Sequence, residues 1–230
     1  MRSTNAGKGF LRLTLLAALA CFVGTPAKAD LVANGTFVNG TYMFNSNGFD
    51  TLTATSNAIS GWTVTNGSVD VIATYWQQSP AGGYSLDMDG ITPGTITQTV
   101  NTVVGTSYTL SFYLSGNPDG GPTTKILDVS ASPVIGPVIP YSAYLYTLTT
   151  TGPNSNSERN MMWEKETYVF TATSTSTLIT FASGDQVNNP WGPALAGVSL
   201  TPEPGFYGIL ALGLAGLGFA VARRRSAGRV

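Results

Sequence analysis

Tyr108-Thr109-Leu110-Ser111-Phe112-Tyr113-Leu114-Ser115 is the stretch that decides the fold class. Tyr108, Leu110, Phe112 and Leu114 fall on one side of an extended chain, and the Thr and Ser positions fall on the other. This two-residue period is that of a half-buried antiparallel strand, apolar toward a core and polar toward water. Outward from it, residues 69–76 repeat the pattern, with Val69, Val71, Ala73 and Tyr75 on one face. Further strands are predicted over 62–65, 95–100, 126–130, 141–149, 167–172, 177–182 and 194–200, in a domain where aromatic and β-branched residues come in short runs. Asn34-Gly35, Asn39-Gly40, Asn47-Gly48 and Asn66-Gly67 are turn signals that suit positive φ, and Asn117–Pro122 reads as a loop. Residues 130–160, with four prolines and a polar tract over 151–160, read as a long excursion. No stretch between the two ends of the chain carries a helical period. Many short strands with frequent turns predict an all-β domain, a β-sandwich of jelly-roll type.

The two ends have a different chemistry. Arg2, Lys8 and Arg12 precede an apolar run over 13–23, and Ala27 and Ala29 supply the small residues that signal peptidase accepts. Residues 1–29 are therefore read as a signal peptide with its helix, cleaved before Asp30. At the other end Pro202-Glu203-Pro204 precedes an uncharged apolar segment, 206–222, and then Arg223-Arg224-Arg225. That segment can span a bilayer if the arginine stems snorkel, and the positive-inside rule keeps the arginines in the cytoplasm. Residues 202–230 resemble the PEP-CTERM sorting signal of Gram-negative bacteria. The resemblance implies recognition by an exosortase in the inner membrane, cleavage near Pro202-Glu203-Pro204, and delivery to the cell envelope or extracellular matrix. An ordinary tail anchor would give the same topology.

Residues 30–201 are left as one domain, long enough for a substantial core. Between Asp30 and Thr201 only Lys125, Arg159 and Lys165 are basic against eleven acidic residues, a net charge of −8. Such a surface repels phosphate backbones and argues against a nucleic-acid partner. There is no histidine in the chain, which removes Ser-His-Asp and Cys-His catalysis and histidine-ligated zinc. The one cysteine, Cys21, lies in the signal segment, so the domain is held by packing without disulfides.

Several blocks resemble a known family: Ile59-Ser60-Gly61-Trp62-Thr63-Val64, residues 69–76, Tyr84–Gly90, Ser115–Pro122, Phe170–Ser174 and Gly192-Pro193-Ala194-Leu195. Together they are similar to the choice-of-anchor C family, itself akin to a plant cell-wall protein family with galactose-binding-like jelly rolls. The resemblance spans nearly all of 31–201 and implies a polysaccharide-binding or matrix role. Two positions depart from the family's pattern. Val38 stands where a Glu usually follows Asn-Gly-x-Phe, and Ala196-Gly197 stands where Asp-Asn is usual. Both departures remove carboxylates and weaken any inherited cation site there.

Candidate binding residues are aromatic side chains beside polar loops, because the C–H face of a sugar ring stacks on an apolar ring. Tyr75 and Trp76, adjacent on a strand, should point to opposite faces. If Tyr75 packs inward with Val69 and Val71, Trp76 faces out. Covering a sandwich edge is the alternative role for Trp76. Trp163 and Trp191 are similar candidates, Trp191 in a loop where Asn188 and Asn189 could bond hydroxyls. Trp62, after Gly61, reads as core. Among carboxylates near Gly-rich turns, Asp119 joins the candidate sugar site. Asp87 and Asp89 have the i, i+2 spacing that could serve Ca²⁺, although turn capping explains such aspartates more often. No other cofactor is expected. Glu158, Glu164 and Glu166 lie in a polar segment that looks solvated, and nothing marks a hydrolytic pair. The sequence thus predicts a non-enzymatic exported module that binds extracellular polysaccharide. The alternatives are a structural matrix protein acting through protein–protein contacts and a glycoside hydrolase.

Overall fold

The computed structural model describes residues 30–185 and 188–203, and of the tail Gly213 and Gly216 alone. The signal peptide, with Ala27 and Ala29, lies outside the described residues. So do Pro204, the membrane-spanning segment as a whole, and Arg223, Arg224 and Arg225.

The described residues between 30 and 203 form strands and loops and no helix. In chain order the strands are β1 (Phe49–Thr53), β2 (Thr63–Asn66), β3 (Ser68–Ile72), β4 (Ser85–Asp87), β5 (Thr95–Asn101), β6 (Ser107–Gly116), β7 (Thr124–Pro133), β8 (Ser142–Thr147), β9 (Glu164–Thr171), β10 (Ser176–Ser183) and β11 (Pro193–Pro202). They form two antiparallel sheets. One has six strands in the order β1-β3-β4-β11-β6-β9, and the other has five in the order β2-β5-β10-β7-β8.

The strand that decided the fold class behaves as read. Tyr108, Leu110, Phe112 and Leu114 of β6 are buried, and the residues between them are half-buried. They meet Leu127 and Val129 of β7 and Ile179 and Phe181 of β10 in one core between the sheets. The Phe112 ring lies edge-on to Phe181 at 5.3 Å, closing the two sheets on each other. Each such side chain contributes about 1.5–3 kcal/mol by leaving water. Trp62, 2 % exposed, packs between Phe37 and Phe181 as predicted for a core residue.

Three sequence expectations are corrected. The strand read over 69–76 stops at Ile72, and the chain bends at 73–76. Residues 130–160 are not one excursion: β7 continues to Pro133, and β8 returns to pair with it as the edge of the five-stranded sheet. The strand read over 167–172 starts earlier, at Glu164, so Glu164 and Glu166 belong to β9, an edge strand paired with β6, where Glu164 is exposed and Glu166 half-buried.

Candidate functional site

The site grows out of the outer face of the six-stranded sheet. Val69, Val71 and Leu86 of β3 and β4 point into the main core, so the alternate residues Asp70, Ile72, Ser85 and Asp87 point away from it. A face turned away from the core is normally wet, yet all four are buried. Loops cover them. Trp76 lies down on this face, 4 % exposed, and its Nε1 donates to Ser85 Oγ at 2.8 Å. With Ile72, Met161 and Ala194 it forms a second, smaller apolar cluster. Backbone and side-chain bonds stitch the covering loops together. Gln77 N donates to Glu158 O at 2.7 Å, Met161 N to Gln77 Oε1 at 3.0 Å, and Trp163 Nε1 to Gln77 O at 3.0 Å.

This reverses the expected orientation at the bend. Trp76 faces inward as a covering side chain, and Tyr75 is the half-buried one. Strand alternation ended four residues earlier, so it could not set these directions. Tyr75 Oη donates to Asp119 Oδ2 at 2.7 Å, and its phenol pKa is raised, first by that bond and then by burial. Tyr75 also meets Phe49 edge-on at 5.6 Å.

Asp70 and Asp87 stand directly opposite each other across the β3–β4 pair. Asp87 is a clamp. Its Oδ1 accepts from Asp89 N and Gly192 N, both at 3.0 Å, and its Oδ2 accepts from Asn117 Nδ2 at 2.7 Å. Burial raises its pKa well above the carboxylate range, against those hydrogen bonds. Asp70 is only half engaged: Oδ1 accepts from Thr51 Oγ1 at 2.5 Å, and Oδ2 accepts no bond among the described residues. Burial raises its pKa too, and Asp50 adds to the rise.

Behind them lies a second charged cluster. Lys125, fully buried, donates from Nζ to Gly120 O at 2.8 Å and to Trp191 O. Asp89 is fully buried, and neither of its carboxylate oxygens has a partner of ordinary hydrogen-bond geometry. Burial pushes its pKa up to about 7, with Ser183 and Lys125 opposing and Asp185 adding to the rise.

Phe49, Tyr75, Trp76 and Trp191 line a pocket of about 180 Å³ together with Asp70, Ile72, Asp87, Asn117, Asp119 and Pro190. Two shallower depressions share Tyr75 or Asp119 with it and extend toward Glu158 and Arg159, so the pocket opens into a groove. Trp191 lies against Gly120, where a Cβ would come within 2.8 Å of the indole.

Of the residues singled out in the sequence, Tyr75, Trp76, Asp119 and Trp191 meet here. Asn189 does not line the pocket; its Oδ1 accepts from Trp191 N at 2.9 Å and shapes the loop. Asn188 is exposed beside it, and Trp163 does not line the pocket but packs against the small cluster of Ile72, Trp76, Met161 and Ala194. Pro202 and Glu203 lie elsewhere, at the end of β11, where Pro202 pairs with Tyr108 and Glu203 N donates to Ser107 O at 2.8 Å. Asp87 and Asp89 sit side by side beneath Gly192, and among the described residues no three acidic, histidine or cysteine side chains converge as a metal site. Sequence reading missed Phe49, Asp70, Asn117 and Lys125. One signal was available: Asp70 interrupts an apolar strand, and Lys125 is one of three basic residues in the domain.

A family model described as "protein of unknown function (DUF642)" matches residues 30–201, and that family is found in plant cell-wall proteins. Halomucin of Haloquadratum walsbyi is 31 % identical over 198 residues, 82 % of this chain and 2 % of its own. The chain thus spans about 2 % of the length of that curated relative. Among solved structures, an arabinose-bound family 51 α-L-arabinofuranosidase superposes with a TM-score of 0.50 at 16 % identity, over 76 % of this chain and 26 % of the enzyme. A family 16 carbohydrate-binding module gives 0.47 at 15 % identity, over 75 % of this chain and 99 % of the module. The xylan-binding domain CBM22-1 of Paenibacillus barcinonensis gives 0.40 at 16 % identity, over 76 % and 97 %. The superposition on the arabinofuranosidase supports the sandwich fold.

Proposed function

The chain belongs to the DUF642 family, and we propose that its sandwich is a non-enzymatic polysaccharide-binding module carried to the cell surface or extracellular matrix. One observation carries the reading: a pocket walled by four aromatic side chains, lined also by Asp70 and Asp119, and adjoined by two more open depressions that form a groove beside it. Aromatic faces stack on the apolar C–H faces of sugar rings, and the carboxylates of Asp70 and Asp119 can accept from hydroxyls. A groove beyond the pocket suits a chain of sugars rather than one. Loops at the end of a rigid sandwich are where such sites are commonly built.

Hydrolysis fits less well. A glycosidase needs two carboxyl groups that both reach the scissile bond. Asp87 spends both oxygens on Asp89 N, Gly192 N and Asn117 Nδ2, so it holds loops in place. Export, the exosortase-read tail and its membrane anchor are part of the same proposal, and they rest on the sequence pattern at the two ends.

The test is affinity electrophoresis and calorimetry of the full-length chain, in mild detergent, against a panel of extracellular polysaccharides with and without calcium. Saturable binding that Trp191→Ala lowers at least tenfold, with no release of reducing ends, supports the module. Absence of binding to every glycan, with calcium present or absent, overturns it in favour of a matrix protein acting through protein contacts. Ile135 and Val138, 88 % and 83 % exposed on the loop between β7 and β8, would be the first surface to examine in that case.

A further inference from the structure

The pocket has a charge bias that sugar binding alone does not require. Asp70, Asp87 and Asp119 line it, and no basic residue does. The buried Lys125 is turned away, its Nζ committed to Gly120 O and Trp191 O. Arg159 borders only the shallower depressions. Asp70 is 7 % exposed, and its Oδ2 is without a protein donor in a pocket walled by aromatic rings. A neutral sugar would cover that carboxylate with hydroxyls and leave its charge uncompensated, which is costly out of water. A uronic acid would bring a like charge. An ammonium group supplies three donors and the missing positive charge, and aromatic faces attract cations through their quadrupole.

We propose that the pocket selects a glycan bearing free amino groups, a deacetylated hexosamine polymer, and seats one ammonium against Asp70 within the ring of Phe49, Tyr75, Trp76 and Trp191. The proposal rests on the polysaccharide reading and narrows it to one substrate class. Neighbouring sugars of the same chain would follow the groove past Tyr75 and Asp119 toward Glu158.

Binding is then linked to a proton. The groups that face Asp70 are Thr51 and Asp50 from β1, Asp87 from β4, and Tyr75 and Asp119 across the pocket. None is a cation. The raised pKa of Asp70 means that acid conditions fill the carboxylate with a proton that an ammonium must displace. Affinity should therefore rise with pH through the range in which Asp70 loses its proton, and stop rising once it is ionised.

The experiment is isothermal titration of the full-length chain with a glucosamine hexamer, its N-acetylated counterpart, a neutral β-linked glucose hexamer, an oligogalacturonate and polylysine. The expected result is binding of the free-amine hexamer at least about tenfold tighter than the acetylated or neutral ones, about 1.4 kcal/mol. In Asp70→Asn, which keeps the acceptor for Thr51, that preference should collapse while the unfolding midpoint does not fall, since the variant removes a carboxylate whose pKa burial raises. Tyr75→Phe, which keeps the ring, is the second variant and should weaken all sugars alike by a small factor. Equal affinity for acetylated, neutral and free-amine hexamers would overturn the amino-sugar proposal and leave the polysaccharide reading standing. Polylysine bound as tightly as the hexamer would overturn it in favour of a basic peptide. Failure of every ligand would remove both readings.

Discussion

Asp89 is a buried carboxylate whose ionisation opposes the fold. Its carboxyl is fully enclosed, its two oxygens lack partners, and its pKa is lifted from the ordinary 3.8 to about 7. A group whose folded pKa is raised favours the folded state fully below its unfolded pKa, and that contribution is lost as pH rises through the folded value. The chain should therefore lose stability between about pH 4 and pH 7 by up to about 4 kcal/mol from this one group. Asp89→Asn removes the titration. It should stabilise the protein at pH 8 and change little at pH 4, as read by urea unfolding at the two pH values; equal effects at both would refute this account. The two candidate tryptophans also separate at this scale. Trp76→Ala should cost about 3–5 kcal/mol, because it empties the small cluster with Ile72 and Met161. Trp191→Ala, at a half-buried loop position, should cost less stability and more binding. The sequence showed both as aromatic residues near loops and could not rank them. The difference lies in a bend after Ile72 that no local pattern marks.

Strands were easier to read than the site they build. Nine of the strands carried their two-residue period or β-rich composition openly, and their expected spans overlap the observed ones. β1 and β4 were not read as strands: β4 has three residues, too few to show a period, and β1 follows a turn signal and has three polar residues among its five. Those two elements supply Phe49 and Asp87, so Phe49 went unread for want of its strand, and Asp87 was read as a turn or calcium candidate rather than as part of the pocket. The junction of β2 and β3 was legible for a sharper reason. Gly67 alone carries the chain from the five-stranded to the six-stranded sheet, at φ +56°, as Asn66-Gly67 suggested. A Cβ there would stand 1.9 Å from Pro93 O, a backbone atom that cannot swing aside. Gly67→Ala should thus destabilise by more than the about 1 kcal/mol usual for a left-handed glycine, because the 92–94 turn must move as well. Because β3 carries Asp70, the same variant should blunt ligand binding at temperatures where it is still folded. A thermal melt paired with a titration below the midpoint checks both effects.

At the scale of the molecule, a domain with no disulfide and a net charge of −8 over residues 30–201 must hold two sheets and a loop-built pocket together by packing and a few buried polar contacts. Lys125 is the contact that joins these tasks. It starts on β7 in the five-stranded sheet, its stem passes Gly116 at the end of β6, and its ammonium grips the Gly120 and Trp191 carbonyls of two loops attached to the six-stranded sheet. Its pKa is lowered by burial, while Asp185, Asp87, Asp89 and Asp119 favour its charge. Removing one member of such a buried charge cluster typically costs about 3–5 kcal/mol, since the remaining carboxylates lose their counter-charge. Lys125→Met, which keeps the stem, should therefore lower stability by that order. It should also free the Trp191 loop, so that glycan affinity falls even well below the unfolding midpoint. Combining it with Asp89→Asn should restore part of the stability, because one uncompensated carboxylate goes with the lysine, yet it should not restore binding, because nothing then grips the Trp191 carbonyl. A double-mutant cycle on unfolding free energy, run beside titrations with the same glycan, distinguishes this coupling from simple core damage. In simple damage the two substitutions would add, and binding would track stability.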